Sequence, residues 1–360
     1  MPNNKVYKVL DVFAGAGGFS LGFQMAGCDV IGAIEHDKWA ADTFSINHPH
    51  AKMMVDDIEK LSDEQILTGL AQHPDIIIGG PPCQGFSICT QNAGDPKDPR
   101  NSLFNEFLRM ARIFKPQAMV MENVPNITNA KTKSGEKVTE IIKKEFSKLG
   151  YYVYSSILIA SDYGVPQNRN RAVFIGIDKN IGNFDYEQIK KTKNIVTVKE
   201  AIGELYDIEN KDEKSLTIEP KTKFQKYVRA KNNLILNHKP KYPNLEVQER
   251  MKYVPQGGNW QNVPEHLWKT QRSNRHSSAY RRLDESKPSI TIDTGHMNYF
   301  HPIYNRVPTV RESARLQSFP DDFVFIGTPT SQLRQVGNAV PPLMAKAVAE
   351  LIKEVLNNAQ

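Results

Sequence analysis

Short apolar runs alternate with amphipathic stretches along the first half of the chain. Apolar runs bounded by turn residues predict strands, and apolar residues at helical spacing predict helices. The alternation predicts an α/β fold with a parallel, doubly wound sheet. The predicted strands are residues 5–13, 29–35, 76–79, 118–122, 151–159 and 172–177. The predicted helices are residues 19–26, 102–114 and 136–149.

The alternation ends near residue 180. Residues 207–224 are charged and weakly apolar, and residues 237–310 are rich in Pro, Asn, Gly, His and aromatic residues without clear periodicity. This change predicts a second, loop-rich domain. Helical periodicity returns at residues 310–316 and 341–356.

The distribution of charge also separates one part of the chain. The 360 residues carry a net charge of +6, and residues 1–180 are close to neutral. Residues 221–310 contain 16 Lys and Arg against 6 Asp and Glu, a net charge of +10. Such a basic block can neutralise phosphates and favours a nucleic-acid partner, although a solvated basic face would have the same composition.

Composition argues against several classes of protein. The three cysteines, Cys28, Cys83 and Cys89, form no CxxC pair and no cluster with histidines, so we expect no metal site. There is no run of 18 apolar residues, and residues 1–5 lack the apolar core of a signal peptide. We therefore expect a protein of a reducing cytoplasm without a membrane partner.

A turn that carries a cysteine follows the predicted strand at residues 76–79. Residues 79–87 read GGPPCQGFS. Open α/β sheets bind ligands in loops at the carboxyl ends of strands. The glycines permit close approach to a ligand, and the prolines stiffen the turn. Cys83 is therefore the candidate nucleophile, and a tight turn with a buried cysteine is the alternative.

A glycine-rich turn follows the first predicted strand. Residues 11–18 read DVFAGAGG, and Glu35 lies 20 residues after Gly15, at the end of the second predicted strand. This arrangement suits a nucleoside ligand whose ribose hydroxyls are bound by the acid. The turn is not GxGxxG, which disfavours a nicotinamide dinucleotide. Simple packing of a strand against a helix would also explain it.

Two further segments carry candidate catalytic side chains. Glu122 lies at the end of an apolar strand, where partial desolvation suits a carboxyl group to proton donation, unless it only caps a helix. Arg169 and Arg171 alternate, so both can point to one side of an extended segment. Two guanidinium groups suit an anionic or carbonyl-rich substrate, and a surface pair of salt bridges is the alternative.

Together and in this order, these segments resemble the motifs of the DNA (cytosine-5) methyltransferases of bacterial restriction–modification type. The resemblance covers nearly the whole chain and implies the Rossmann-like fold of S-adenosylmethionine-dependent methyltransferases, with a mostly parallel doubly wound sheet and a smaller, loop-rich target-recognition domain. It rests on the glycine turn within 11–23, PPCQ at 81–84, ENV at 122–124, QNRNR at 167–171, RESARLQSFP at 311–320 and QVGNAVPP at 335–342.

The resemblance implies a division of labour along the chain. Residues 1–185 and 325–360 are the expected catalytic and cofactor-binding domain, and residues 186–324 are the expected recognition domain and hinge. The expected cofactor-binding residues are Phe13, Ala14, Gly15, Gly17, Gly18, Glu35, Asp57, Ile58, Pro81, Leu103, Asn338 and Val340. The candidates for DNA contact are Gln84, Ser87, Gln167, Arg272, Arg275, His276, Arg281 and Arg282.

The resemblance also implies a reaction. S-adenosylmethionine gives its methyl group to C5 of a cytosine that is flipped out of double-stranded DNA, and S-adenosylhomocysteine is the product. Cys83 adds covalently to C6, and Glu122 protonates N3. Arg169 holds the base carbonyl and the flipped nucleotide, and Arg171 is its expected catalytic neighbour. No metal is required.

Three alternatives share parts of this pattern: the same fold acting on transfer RNA, a DNA-binding module without activity, and a nicotinamide dehydrogenase. The large basic segment favours duplex DNA, the intact Cys83 and Glu122 favour catalysis, and a dehydrogenase does not need the cysteine turn. We therefore predict a DNA (cytosine-5-)-methyltransferase. We expect a monomer, associated with the bacterial nucleoid, and a separate restriction endonuclease that acts on the same site.

Overall fold

The computed structural model describes residues 5–70, 72–82, 102–132, 135–208, 215–229, 233–268, 280–293 and 299–359. Contacts divide the chain into two units. Unit 1 contains Met1–Tyr163, Asn170–Lys191 and Val340–Gln360, and unit 2 contains Gly164–Arg169 and Thr192–Ala339. These limits differ from the predicted boundaries after residues 185 and 324, and the recognition role of 186–324 stays a prediction.

Unit 1 contains a seven-stranded sheet. Its strands are β1 (Lys8–Val12), β2 (Asp29–Glu35), β3 (Lys52–Val55), β4 (Ile76–Gly79), β5 (Ala118–Asn123), β6 (Tyr151–Ile159) and β7 (Asn170–Asp178). The order across the sheet is β3-β2-β1-β4-β5-β7-β6. The first five strands run parallel, whereas β7 pairs antiparallel with both β5 and β6. The predicted α/β class with a mostly parallel, doubly wound sheet is confirmed.

Helices connect these strands in unit 1 and form most of the regular structure described in unit 2. Each predicted helix of the first half is present within two residues of its predicted limits. No described helix is long and apolar enough to cross a membrane. The helices are α1 (Gly18–Met25), α2 (Lys38–Asn47), α3 (Asp63–Leu70), α4 (Ser102–Phe114), α5 (Val138–Lys148), α6 (Val198–Ile202), α7 (Lys223–Val228), α8 (Leu245–Lys252), α9 (Val310–Leu316), α10 (Pro329–Asn338) and α11 (Pro342–Asn358).

The centre of the sheet is apolar on both faces. Every residue of β4 and β5 is buried, and this explains why both read as continuous apolar runs rather than alternating ones. On one face, Ile77 and Met119 belong to a cluster that also contains Phe107 of α4 and Phe146 of α5. The burial of this cluster fixes the register of the central strands, and therefore the positions of the residues that follow them.

Unit 2 is organised around buried charges rather than around a sheet. The described strands of unit 2, β8 (Arg281–Arg282) and β9 (Tyr299–Phe300), are two residues long and parallel. In α9, Glu312 pairs with Arg306, and Arg315 pairs with both Asp321 and Glu204. All five of these side chains are at most 4% exposed, so the helix is held by ion pairs that exclude water.

Candidate active site

The carboxyl ends of three neighbouring parallel strands meet at one edge of the sheet. Val12 of β1 pairs with Gly79 of β4, and Gly79 pairs with Met121 of β5. The order of the strands across the sheet changes direction between β1 and β4. From β1 the chain adds β2 and β3 on one side, and then continues with β4 and β5 on the other side. Ligands of open α/β sheets bind at such a switch point. Phe13, Gly80 and Glu122 come directly after these paired residues and therefore lie at this edge.

The glycine turn after β1 has a constrained backbone. Phe13 has φ +63°, and Gly15 and Gly17 have φ +54° and +93°. Positive φ suits glycine but is strained for phenylalanine, and such strain is found mainly where the structure needs it for function. The amides of Phe13 and Ala14 both donate to the Ile34 carbonyl, at 3.0 and 3.2 Å. The turn is therefore fixed to β2, and a Cβ at Gly15 would point into open space.

Glu35, the last residue of β2, completes the same turn. Its Oε2 accepts the Gly15 amide at 2.8 Å, and its Oε1 accepts the Asp37 amide at 2.8 Å. The side chain is 8% exposed. A carboxylate has about four acceptor positions. The amides of Gly15 and Asp37 each occupy one position on Glu35, so the carboxylate can also accept hydrogen bonds from hydroxyl groups of a ligand. Glu35 and the glycine turn are thus brought together, as a nucleoside site requires.

His48, the residue that follows α2, supports the turn and was not among the sequence-based candidates. A Cβ at Gly17 would lie 2.4 Å from its Nε2, so only glycine leaves room for the ring. Nε2 lies 3.1 Å from the Gly17 carbonyl oxygen. Burial lowers the pKa of His48 to about 4, so the ring is neutral and its proton on Nε2 is donated to that carbonyl. A lone histidine gives no signal of this packing in sequence.

Asp57 and Ile58 follow β3 and form a short turn. Asp57 caps the 3₁₀ turn Ile58–Lys60 by accepting the Glu59 amide at 3.2 Å. The Ile58 side chain is buried in the core of unit 1. From α4, Arg109 donates to the Ile58 carbonyl at 2.7 Å. Leu103, also on α4, packs partly buried against the same core.

The segment after β4 is held against the end of β5. A Cβ at Gly80 would lie 3.3 Å from Oε2 of Glu122, so the backbone passes beside this carboxylate. Asn123, which belongs to the ENV motif but had no assigned role, donates from Nδ2 to the Pro81 carbonyl at 3.0 Å. The described segment ends at Pro82, and the predicted nucleophile Cys83 lies outside the described residues.

Glu122 and Arg171 form an ion pair between β5 and β7. Arg171 Nε lies 2.6 Å from Glu122 Oε1, and the two side chains are 12% and 10% exposed. Arg171 also donates to the Asn170 carbonyl at 2.7 Å. The acid is therefore oriented by a guanidinium and lies beside Gly80, where it can contact a ligand at the sheet edge.

Arg169 does not share this position, contrary to the expectation that both arginines point to one side. Its side chain is 1% exposed. Its guanidinium donates to the carbonyls of Ile292 and Gly337 at 3.1 and 2.6 Å, within unit 2. Two of the five guanidinium donors therefore hold the backbone of unit 2, and the role of Arg169 towards the base stays a prediction. Of the two arginines, Arg171 is the one beside the acid.

Two candidates for DNA contact are also interior residues. Gln167 is fully buried and bonds to the Leu316 carbonyl and the Ile292 amide. Arg282 is 6% exposed and donates to the Val254 and His301 carbonyls, at 2.6 and 2.9 Å. These partners satisfy the desolvated side chains and argue against base contacts by either residue.

The remaining candidates are distributed over both units and beyond the described residues. Arg281 is half-buried in β8, Val340 is buried in unit 1, and Asn338 is exposed at the end of α10 in unit 2. No group of three metal-binding side chains is found in the described part of the chain. Cys83, Gln84, Ser87, Arg272, Arg275 and His276 lie outside the described residues.

Comparisons with known proteins show the family of the chain. Residues 7–354 match the family described as C-5 cytosine-specific DNA methylase. The type II methyltransferase M.DdeI of Desulfomicrobium norvegicum is 38% identical over 97% of this chain and 89% of its own length. The type II methyltransferase M1.HphI of Haemophilus parahaemolyticus is 39% identical over 97% of this chain and 87% of its own.

Solved structures agree with the fold. A crystal structure described as a DNA modification methyltransferase encoded within an Escherichia coli prophage has a TM-score of 0.80 and 30% identity, covering 98% of this chain and 99% of its own. The Dnmt2 methyltransferase of Schizosaccharomyces pombe (S. pombe) has a TM-score of 0.63 and 16% identity, with coverage of 98% and 99%. The second similarity concerns the fold alone.

Proposed function

Because this chain belongs to the C-5 cytosine-specific DNA methylase family and is a DNA (cytosine-5-)-methyltransferase (EC 2.1.1.37), we propose that it methylates one cytosine of a specific duplex sequence through a covalent adduct of Cys83. The observation that carries the proposal is the position of Glu122. This carboxylate is paired with Arg171 and lies beside Gly80, three residues before Cys83.

S-adenosylmethionine is the methyl donor that the family implies, and the residues at the sheet edge fit it. The strained turn at Phe13 and Gly15 provides an open backbone cradle, and Glu35 has acceptor capacity for the ribose hydroxyls. Asp57, Ile58 and Leu103 lie on neighbouring segments of unit 1 and would contact the adenine. When bound, this cofactor supplies an electrophilic methyl group.

The chain's own residues then account for activation of the base. The cytosine is extruded from the duplex because its reactive carbons are inaccessible within the stack. The Cys83 thiolate forms a bond to C6, and Glu122 protonates N3, which neutralises the charge that develops on the ring. Arg171, whose Nε lies 2.6 Å from Glu122 Oε1, orients Glu122 in this step. After methylation, loss of the C5 proton and of the Cys83 thiolate releases 5-methylcytosine.

The names of the relatives favour a type II restriction–modification role. In such a system the methyltransferase protects the sequence that its endonuclease cuts. We infer that the chain acts as a monomer and does not form a stable complex with that endonuclease. The same fold acting on transfer RNA is the second candidate, but the identity of 38–39% to the type II methyltransferases favours DNA.

The direct test is a transfer assay with methyl-labelled S-adenosylmethionine and two substrates, plasmid DNA and bulk transfer RNA. Label is expected in DNA, and bisulfite sequencing of that DNA is expected to find C5 methylation in one sequence context. The Cys83→Ser variant is the matched control and should transfer no label. Label in transfer RNA alone, or label in DNA at a position other than cytosine C5, would contradict the proposal.

A further inference from the structure

Arg109 on α4 holds the segment that carries two of the proposed cofactor residues. Its Nη2 donates to the Ile58 carbonyl at 2.7 Å, and its Nη1 donates to the Leu61 carbonyl at 3.0 Å. These carbonyls belong to the first residue of the 3₁₀ turn Ile58–Lys60 and to the residue that follows it. One planar guanidinium therefore fixes both ends of the turn.

Two carboxylates hold the Arg109 guanidinium in place. Nε donates to Glu106 Oε2 at 2.6 Å, and Nη1 donates to Asp63 Oδ1 at 2.7 Å. Glu106 lies one turn earlier on α4, and Asp63 begins α3. The Arg109 side chain is 19% exposed, so its rotamer is constrained from α3, from α4 and from the turn. A lysine is a point charge and cannot span both carbonyls.

The turn itself is constrained on its other sides. The Ile58 side chain is buried in the core of unit 1, and Asp57 caps the turn at the Glu59 amide. The position of Asp57 therefore depends on the backbone that Arg109 holds. Leu103, on the same helix as Arg109, is a further proposed cofactor contact, so α4 contributes to the cofactor site both directly and through Arg109.

We propose that Arg109 is a positioning residue for S-adenosylmethionine, which fixes Asp57 and Ile58 relative to α4 without contacting the reacting atoms. The inference rests on the proposed function, because it requires the cofactor to lie against Asp57 and Ile58. A loss of about 10-fold to 100-fold in affinity corresponds to about 1.4–2.8 kcal/mol, the range expected when charge-assisted hydrogen bonds that hold a binding segment are removed. Loss of the guanidinium should therefore weaken cofactor binding and leave DNA binding unaffected.

The experiment compares Arg109→Met, Arg109→Lys and Arg112→Met with the wild-type protein. Arg112 is exposed on the same helix and is the matched control. Calorimetry gives the Kd for S-adenosylmethionine and for duplex DNA, and initial rates give KM and kcat. For Arg109→Met we expect the cofactor Kd and KM to rise about 10-fold to 100-fold, with DNA Kd and kcat at saturating cofactor near wild type. Arg109→Lys should be intermediate, and Arg112→Met unchanged.

Two results would overturn the inference while the proposed function stands. The first is an unchanged cofactor Kd in Arg109→Met. The second is an equal loss of cofactor and DNA affinity in Arg109→Lys, because a residue that only stabilises the fold would lower both. Arg109→Lys also decides the question if Arg109→Met does not fold. A wild-type protein that binds no S-adenosylmethionine would overturn the proposed function and this inference with it.

Discussion

Single side chains decide the chemistry at the sheet edge, and the sequence predicted some of their partners better than others. Glu122 lies at the end of an apolar strand, as its sequence context predicts, and Glu35 meets the glycine turn. The alternation of Arg169 and Arg171 did not predict which of them meets the acid. That choice depends on the carbonyls that fold around each arginine, and these come from distant parts of the chain.

Glu122 is predicted to act on N3 of the cytosine. Replacing a general acid by an isosteric amide removes proton transfer and keeps most packing, so Glu122→Gln should lower kcat by about 10²–10⁴. Cofactor affinity measured by calorimetry should stay near wild type. Glu140→Gln, an exposed change on α5, is the control and should be neutral. Turnover by Glu122→Gln close to the wild-type value would refute the role.

Asp11 is predicted to make stability depend on pH. Burial beneath the glycine turn raises its pKa to about 7, although Ser20 donates a hydrogen bond to it at 2.6 Å. Because the folded-state pKa lies above the unfolded value, the stabilising contribution is complete below about pH 4 and is lost as pH rises to about 7. At 1.36 kcal/mol per pKa unit, the full change is about 4 kcal/mol.

The Asp11→Asn variant isolates this effect. Its amide keeps an acceptor for Ser20 but does not titrate, so its advantage over the wild type should grow between about pH 4 and pH 7. Urea unfolding at a series of pH values measures the difference in unfolding free energy. Parallel curves for the two proteins across that range would mean that Asp11 is not a buried titrating group.

At the level of elements, the sequence predicted those with strong periodicity or continuous burial. The limits of β2, β4, α4 and β6 agree with the prediction. The elements α2, β3 and α3 were not predicted. In β3 the end residues, Lys52 and Val55, are exposed and the two between them are half-buried, so this edge strand shows neither a continuous apolar run nor a clear alternation. The antiparallel direction of β7 was also not predicted, because an apolar run does not show which strand it pairs with.

Removing a partner from the buried ion pairs of α9 should destabilise unit 2 more than breaking an exposed pair. Arg315 donates to Asp321 and Glu204 at 2.8 Å each, and its side chain is fully buried. Arg315→Met leaves two buried carboxylates without this partner and should cost about 3–5 kcal/mol in unfolding free energy. Lys252→Met breaks an exposed pair with Glu249 and should leave the unfolding free energy close to the wild-type value. Similar losses in urea unfolding of the two variants would contradict this view of α9.

Across the whole molecule, shared motifs and the basic block occupy different parts of the chain. The block 221–310 carries a net charge of +10 from 16 basic and 6 acidic residues. Phosphate contacts supply affinity without sequence information, so a few base contacts must specify the site. The interior positions of Gln167 and Arg282 show why single contact residues could not be predicted from charge alone, since a buried arginine and a DNA-binding arginine look the same in sequence.

The segment is therefore a better unit of prediction than the residue. Exchanging about residues 185–305 for the matching segment of a relative with a different target should transfer that relative's specificity, as read by bisulfite sequencing. The chimera should still require Cys83 and S-adenosylmethionine. A folded, active chimera that methylates the original sequence would assign recognition to the rest of the chain.

The central claim is that Cys83 forms a covalent bond to the cytosine, and trapping with 5-fluorocytosine tests it most directly. Fluorine at C5 cannot leave as a proton does, so methylated adducts on such DNA should persist through denaturing electrophoresis. The account predicts an S-adenosylmethionine-dependent adduct with the wild-type protein and with Cys89→Ser, and none with Cys83→Ser. An adduct that survives Cys83→Ser, or a wild-type protein that methylates cytosine without ever being trapped, would contradict it.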